Sequence, residues 1–261
     1  MKTVWITGAS SGIGEACAYE YASQGDRLIL TSTSREKLER VADTCMEKGS
    51  PDVRVLPYDL SDPEGITMLV REAWNFFGGI DIAFLNAGIS QRTKVEDTSM
   101  AVVRKIMEVN FFAPAAISKA LLPLMLSEGG GRIGVTSSIA GRFGFPLRSA
   151  YSSSKHALYG FFETLRAEYG RKGIGVTIVC PGRVRTNISH NALGKDGVPH
   201  GVLDPGQAGG IDPAKAAPKI VDAIWLKKRE VLIGGKELLM VYVKRFFPGL
   251  CARLSTRISA V

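Results

Sequence analysis

Short, continuous apolar runs alternate along the chain with longer segments whose apolar residues recur every three or four positions. Val4-Trp5-Ile6 leads into a glycine-bearing turn and a helix beginning near Gly12. Arg27 to Thr31 reads as a buried strand, and Glu36 to Glu47 as a helix with Leu38, Val41, Ala42 and Cys45 on one face. The pattern repeats as a strand from Val53 to Leu56, a helix from Pro63 to Phe76 and a strand from Ile80 to Leu85. Strands that are apolar on both faces belong inside a parallel sheet covered on both sides by helices.

Two longer helices occupy the middle: Met100 to Met125, interrupted by Pro114 and Pro123, and Ser149 to Tyr169. Arg132 to Thr136 and Gly175 to Cys180 supply the fifth and sixth strands, and Val231 to Ile233 a seventh. Before that last strand, Asp212 is placed to cap a helix that has Pro213 in its first turn and runs toward Lys228. The predicted fold class is α/β, a doubly wound parallel sheet of about seven strands in a single domain, residues 1–261. Residues 183–210 break the rhythm, with Gly194, Gly197, Gly201, Gly206, Gly209 and Gly210 and little periodicity. A loop of that length is a surface insertion or a segment that closes over substrate, and the second reading is preferred.

Composition narrows the class. With 45% hydrophobic and 22% charged residues, the 261-residue chain has ample apolar surface for a packed core and is not a disordered chain. The 33 Lys and Arg exceed the 25 Asp and Glu, giving a formal charge of +8. That excess suits a phosphorylated ligand, an anionic membrane or simply a basic surface. No zinc-finger spacing or long basic run accompanies it, so nucleic acid is not an expected partner. Cys17, Cys45, Cys180 and Cys251 lie far apart without a Cys-x-x-Cys pair, which points to a reducing compartment and a cytoplasmic location. Strand pattern begins at once after Met1-Lys2-Thr3, leaving no room for a signal peptide, and no apolar run is expected to reach membrane-spanning length.

The candidate chemistry falls at strand ends. Thr7-Gly8-Ala9-Ser10-Ser11-Gly12-Ile13-Gly14 joins the first strand to the first helix, where glycines permit close backbone approach and a helix amino terminus offers N–H groups to a pyrophosphate. The second strand ends in Thr31-Ser32-Thr33-Ser34-Arg35, with no carboxylate to repel a ribose 2′-phosphate and with Arg35 as a source of positive charge; the hydroxyls serve equally well as helix caps. Asp59 and Leu60 follow the third strand, as adenine contacts or an ordinary turn. Asn86-Ala87-Gly88 follows the fourth, as a ligand contact or an Asx turn. Tyr151 and Lys155 sit four apart on one helix face, where an ammonium favours the phenolate of a side chain whose ordinary pKa is ~10. Ser138 ends the fifth strand at the same sheet edge, placed to orient a carbonyl oxygen. Asn110 is polar within an apolar helix, suited to hold a water or a backbone group near the lysine.

These ordered motifs, with Pro181-Gly182 and Thr186 after the sixth strand, resemble the classical short-chain dehydrogenase/reductase family. The resemblance implies a Rossmann-like sheet and an NAD(P)-dependent oxidoreductase that interconverts a carbonyl and an alcohol. It makes Asn110, Ser138, Tyr151 and Lys155 catalytic, with Tyr151 the proton donor in reduction and Lys155 lowering its effective pKa. It assigns the cofactor to Gly8, Ser10, Ser11, Gly12, Ile13, Gly14, Ser32, Thr33, Arg35, Asp59, Leu60, Asn86, Ala87, Gly88, Pro181, Gly182 and Thr186, together with Tyr151 and Lys155. NADP(H) is the preferred cofactor, with NAD(H) the alternative. Ser11 stands where a basic residue would grip phosphate more firmly, and Thr33 where several NADP-using relatives carry arginine. The family also implies a homodimer or homotetramer.

The substrate is less defined. Phe143, Phe145, Pro146 and Leu147 suit a hydrophobic or lipid-like molecule, or else a loop packed on the core. A 3-oxoacyl thioester reductase and a non-catalytic nucleotide-binding scaffold are the alternatives. The apolar and basic extension 237–261 lies at a bilayer surface as a peripheral contact, caps a hydrophobic channel, or packs against the domain or another subunit.

Overall fold

A computed structural model of the protein describes residues 1–198, 201 and 208–256; Gly206 of the expected substrate loop and Arg257 of the extension lie outside the described residues. The chain runs β1 (Thr3–Thr7), α1 (Gly12–Ser23), β2 (Arg27–Thr31), α2 (Arg35–Glu47), β3 (Val53–Val55), α3 (Ile66–Phe77) and β4 (Ile82–Leu85). It continues with α4 (Met100–Met107), α5 (Ala113–Ser127), β5 (Gly131–Thr136), α6 (Ser149–Tyr169) and β6 (Ile174–Pro181). After the long loop come α7 (Pro213–Trp225), β7 (Glu230–Ile233), α8 (Leu239–Phe246) and α9 (Pro248–Ser255). All seven strands are parallel, in the order β3-β2-β1-β4-β5-β6-β7.

Strand alternation sends neighbouring residues to opposite faces, and both faces are buried. Trp5, Ile29, Ala83 and Ile133 meet Leu69, Ile117 and Phe162 from α3, α5 and α6. Val4, Ile6, Leu28 and Phe84 meet Cys17, Val41 and Ile220 from α1, α2 and α7. Each fully buried aliphatic or aromatic side chain contributes roughly 1.5–3 kcal/mol of transfer free energy, so the two layers lock the sheet. Asp212 caps α7 as expected, its carboxylate accepting from the Ala214 N–H at 2.9 Å, with Pro213 in the first turn. That helix stops at Trp225, short of Lys228, because Lys227 takes a left-handed φ of 52°. All four cysteines are buried free thiols.

Two expectations about the long middle helix change. Pro123 does not interrupt α5. Its missing N–H leaves the Lys119 carbonyl, one turn back, without a helical partner, and both residues are solvent-exposed, on the side of the helix where such a gap costs least. The continuous stretch Met100–Ser127, 28 residues, is also long and apolar enough to cross a membrane, contrary to the sequence reading; half of its most apolar window is buried inside the protein. Ile106, Ile117, Leu121 and Met125 have core burial there. Between α4 and α5 the helix widens into a π-turn, Glu108–Phe112, in which the Ala113 N–H reaches back to the Glu108 carbonyl. Pro114 lies just beyond it and cannot supply the N–H that an α-turn would direct at the Asn110 carbonyl.

Candidate active site

Between β1 and β4 the strand order reverses, and a cleft of about 460 Å³ opens there over the carboxyl ends of the strands. Gly8 and Gly12 turn the chain from β1 into α1 with φ of +66° and +61°. A methyl on Gly8 would come within 2.8 Å of the Ala87 Cα. Gly14 does not line the cleft. It packs beneath it, where a Cβ would overlap the Gly8 carbonyl oxygen and approach the Asn86 amide at 2.7 Å. Ser11 is the N-cap of α1 yet makes no side-chain cap, so the first turn keeps N–H groups for an anion beside Ser10 and Ile13.

Ser32 and Thr33 line the next stretch of the cleft, and no carboxylate stands between Thr31 and Ser34. The capping alternative holds for Ser34, whose hydroxyl accepts from the Lys37 N–H at 3.4 Å. Arg35 is not brought to the cleft: as the first residue of α2 it points outward, 3.6 Å from exposed Glu39 one turn on. Asp59 and Leu60 line the wall, joined by Tyr58. One Asp59 oxygen also closes an Asx turn by accepting from the Ser61 N–H at 2.9 Å and its hydroxyl at 2.8 Å. Asn86, Ala87 and Gly88 reach the cleft, but the Asn86 side chain is engaged in tying three strand ends together. Its amide donates to the Thr7 and Gly8 carbonyls, both at 3.3 Å, and its oxygen accepts from the Thr136 hydroxyl at 3.1 Å.

At the other end Ser138, Tyr151 and Lys155 converge in the same cleft with Pro181, Gly182 and Thr186. Ser138 leaves β5 in extended conformation. Its hydroxyl accepts from the Ala140 N–H at 3.1 Å and donates to the Pro181 carbonyl at 3.4 Å. The segment after it is pinned by Arg142, which lies over the Tyr159 ring at 3.6 Å and pairs with Glu230 of β7 at 2.6 Å. Lys155 Nζ donates to the Thr136 carbonyl at 2.7 Å. Asn110 sits in the π-turn, 1% exposed and behind the cleft lining. Its Oδ1 accepts from the Ile89 N–H at 2.8 Å, and its Nδ2 donates to the Ile89 carbonyl at 2.9 Å and to the Ser154 hydroxyl at 3.0 Å. Asn110 therefore clamps a backbone segment, one of the two roles its sequence context allowed. Gly88 fits between it and the lysine; a Cβ there would lie 3.2 Å from both Asn110 Oδ1 and Lys155 Nζ.

Burial pushes the Tyr151 hydroxyl above its ordinary value, opposed by the Arg148 guanidinium and the Ser138 hydrogen bond. Lys155 is itself pushed down to about 7 by burial, and its Nζ lies 5.8 Å from the Tyr151 ring centre. Arg148, equally 5.8 Å from that ring, was not among the sequence candidates although it precedes Tyr151 by one helical turn. It follows Leu147, which is held in the left-handed region at φ 61°. Lys105 and Val109 from the π-turn helix and Ile188 from the loop complete this end of the cleft. Sequence spacing held no signal for Lys105.

Residues 2–196 match the family model for short chain dehydrogenases. The chain belongs to the short-chain dehydrogenase/reductase family. It is 40% identical to Dehydrogenase/reductase SDR family member 7B of Bos taurus over 257 residues, which is 96% of this chain and 79% of that protein. It is 39% identical to the family protein 7-like of Drosophila melanogaster over 248 residues, 94% of this chain and 76% of the relative. Among solved structures, a family member from Burkholderia phymatum in complex with NAD superposes with a TM-score of 0.84 at 25% identity, covering 95% of this chain and 94% of that one. An alcohol dehydrogenase from Thermococcus sibiricus complexed with 5-hydroxy-NADP gives 0.78 at 26% identity, covering 90% and 97%. This short-chain dehydrogenase/reductase is thus an oxidoreductase with the family's Ser-Tyr-Lys arrangement, in Ser138, Tyr151 and Lys155.

Proposed function

We propose that this enzyme uses NADP(H) to interconvert a carbonyl and an alcohol on a hydrophobic or lipid-like substrate. The observation that carries the reading is one continuous cleft. Its one end holds Tyr151 together with Ser138, and its other end runs past the uncapped start of α1 to a carboxylate-free β2 terminus. The residues fit a nicotinamide dinucleotide. Gly8 and Gly12 allow close approach, the α1 amino terminus suits a pyrophosphate, and Ser32 and Thr33 accept a 2′-phosphate without charge repulsion. Such a cofactor supplies the hydride donor or acceptor.

The chain's own residues supply the rest. Ser138 and Tyr151 both donate toward a substrate oxygen, fixing the carbonyl; Tyr151 then gives its hydroxyl proton during reduction and takes one during oxidation. Arg148 favours the phenolate left behind. Asn110 acts at one remove, holding Ile89 and Ser154 so that the cleft wall and the Tyr151–Lys155 turn keep their spacing. Ile89, Val109 and Ile188 give the substrate end apolar walls, and the loop 183–210 provides Ile188 and Asn191 as its cover. The outer face of α4 to α6, where exposed Phe112 lies 5.1 Å from Phe111, supports the homo-oligomer reading.

A 3-oxoacyl thioester is the second reading, favoured specifically by Lys105 and Arg148, which give the entrance positive charge. NADPH and NADH oxidation measured in parallel on medium-chain ketones, steroid ketones and 3-oxoacyl thioesters separates the two, with Tyr151→Phe as the control. Turnover that prefers NADPH, requires Tyr151 and favours uncharged apolar ketones is expected. Preference for NADH overturns the cofactor assignment, and selective turnover of the thioester replaces the substrate class.

A further inference from the structure

The two C-terminal helices are apolar on two sides. One side packs inward: Leu238, Met240, Val241 and Val243, with Cys251 of α9, cover Ile139, Phe143 and Phe145 in the segment that follows Ser138. The position is fixed by Glu237, whose carboxylate accepts from the Arg183 N–H at 2.8 Å and the Gly235 N–H at 3.0 Å, beside Gly182 of the cleft wall. The tail is therefore built against the reacting end of the enzyme.

The other side has no cover among the described residues. Leu239, Tyr242 and Phe246 repeat at i, i+3 and i+7 along α8 with exposures of 64%, 52% and 64%, and Phe247 and Leu250 extend the row into α9 at 63% and 46%. Side chains this large cost free energy in water, and a row of them marks a contact surface. Lys244, Arg245 and Arg253 flank the row, all exposed, and the Arg245 guanidinium lies 5.9 Å from the Phe246 ring centre. No Asp or Glu follows Glu237 in the sequence, and Glu237 is itself engaged by backbone donors.

That charge pattern selects the occupant. A second copy docking on this face would bring Lys244, Arg245 and Arg253 against their own counterparts, and α8 and α9 carry no carboxylate to pair with them. A surface that is apolar within and anionic at its boundary satisfies both parts of the patch. We propose that α8 and α9 dock this enzyme on an anionic lipid bilayer, with Leu239, Tyr242, Phe246, Phe247 and Leu250 entering the boundary between headgroups and acyl chains and the three cations meeting lipid phosphates. This surface is independent of the substrate reading above, and its test does not involve turnover of any lipid.

The test is co-sedimentation of the full chain with vesicles of phosphatidylcholine alone and of phosphatidylcholine mixed with phosphatidylglycerol. Binding to the anionic vesicles is expected, weakening as salt rises and at least about tenfold weaker on neutral vesicles. Phe246→Ser with Phe247→Ser removes two apolar anchors and lowers anionic-vesicle binding at least about tenfold. Lys244→Gln with Arg245→Gln does so by removing charge, and it keeps the test decisive if the first variant fails to fold. Thermal unfolding identical to that of the parent certifies each variant. Absence of binding to anionic vesicles overturns the proposal, as does binding that both folded variants retain. A concentration-dependent dimer that the Phe variant abolishes, without vesicle binding by the parent, assigns the face to a second copy instead.

Discussion

Replacing Asn110 by leucine keeps the side-chain volume nearly constant while removing every polar atom. Three hydrogen bonds go: two to the backbone of Ile89 at 2.8 and 2.9 Å and one to Ser154 at 3.0 Å. Each backbone group left without a partner costs about 1–3 kcal/mol when buried. Ile89 is half-buried, so water recovers part of that cost. Ser154 keeps its own donation to the Tyr151 carbonyl at 2.8 Å and loses only an acceptor bond. Together these give a loss of about 2–4 kcal/mol of stability. Urea unfolding followed by tryptophan fluorescence measures it, and a cycle with Ser154→Ala isolates the Asn110–Ser154 share, about 0.5–1.5 kcal/mol. Turnover should fall further than stability alone explains, because Ile89 lines the cleft and Ser154 bonds to the Tyr151 carbonyl. A stability change under about 1 kcal/mol, with turnover intact, would refute the clamp.

Arg148→Gln removes the leading influence that lowers Tyr151, so its hydroxyl should ionise at still higher pH; in alcohol oxidation the rising limb of the kcat/KM profile moves upward, and an unmoved limb rejects the assignment. Lys155 has a folded-state pKa depressed to about 7 from 10.5, so the unfolded chain binds more protons between those values. The stability it contributes is therefore present above about 10.5 and is lost as pH falls toward 7. Parent and Lys155→Met unfolding compared across that window should show a positive slope in the parent that the variant lacks. Gly14→Ala sets a methyl against the Gly8 carbonyl and the Asn86 amide, neither free to shift, and should cost about 3 kcal/mol; an unchanged melting midpoint would contradict that packing.

Much of this arrangement is legible because parallel strands are buried on both faces, so Val4 to Ile6 or Leu28 to Leu30 cannot be confused with surface. The Tyr151 and Lys155 pair follows from helical spacing, and Arg148 follows from the same spacing read one turn back. Ser154 is hidden among three consecutive serines, where only helical phase aims it at Asn110. Nothing local announces Gln91, buried with its Oε1 accepting the Ala150 N–H at 2.8 Å from 59 residues away, so that α6 starts where no neighbouring side chain caps it. Arg35 shows the converse. Its position suggested ligand contact, but it turns to Glu39 once α2 forms, whereas Asn86 both lines the cleft and braces strand ends.

The π-turn at Glu108–Phe112 constrains how this gene can change length. Each residue of an α-helix advances about 100° around the axis, and the wider turn absorbs one extra residue without passing that rotation on. Deleting a single residue there restores a regular α-turn and leaves α5 in its present phase against α4, so the change falls on the turn itself. Asn110 then loses its place against Ile89, while Ile117, Leu121 and Met125 keep their buried positions. A deletion in the regular helix on either side has no such slack and would turn the buried face of α5 by about 100°. The segment is thus a fixed measure between the wall of the cleft and the core beneath it.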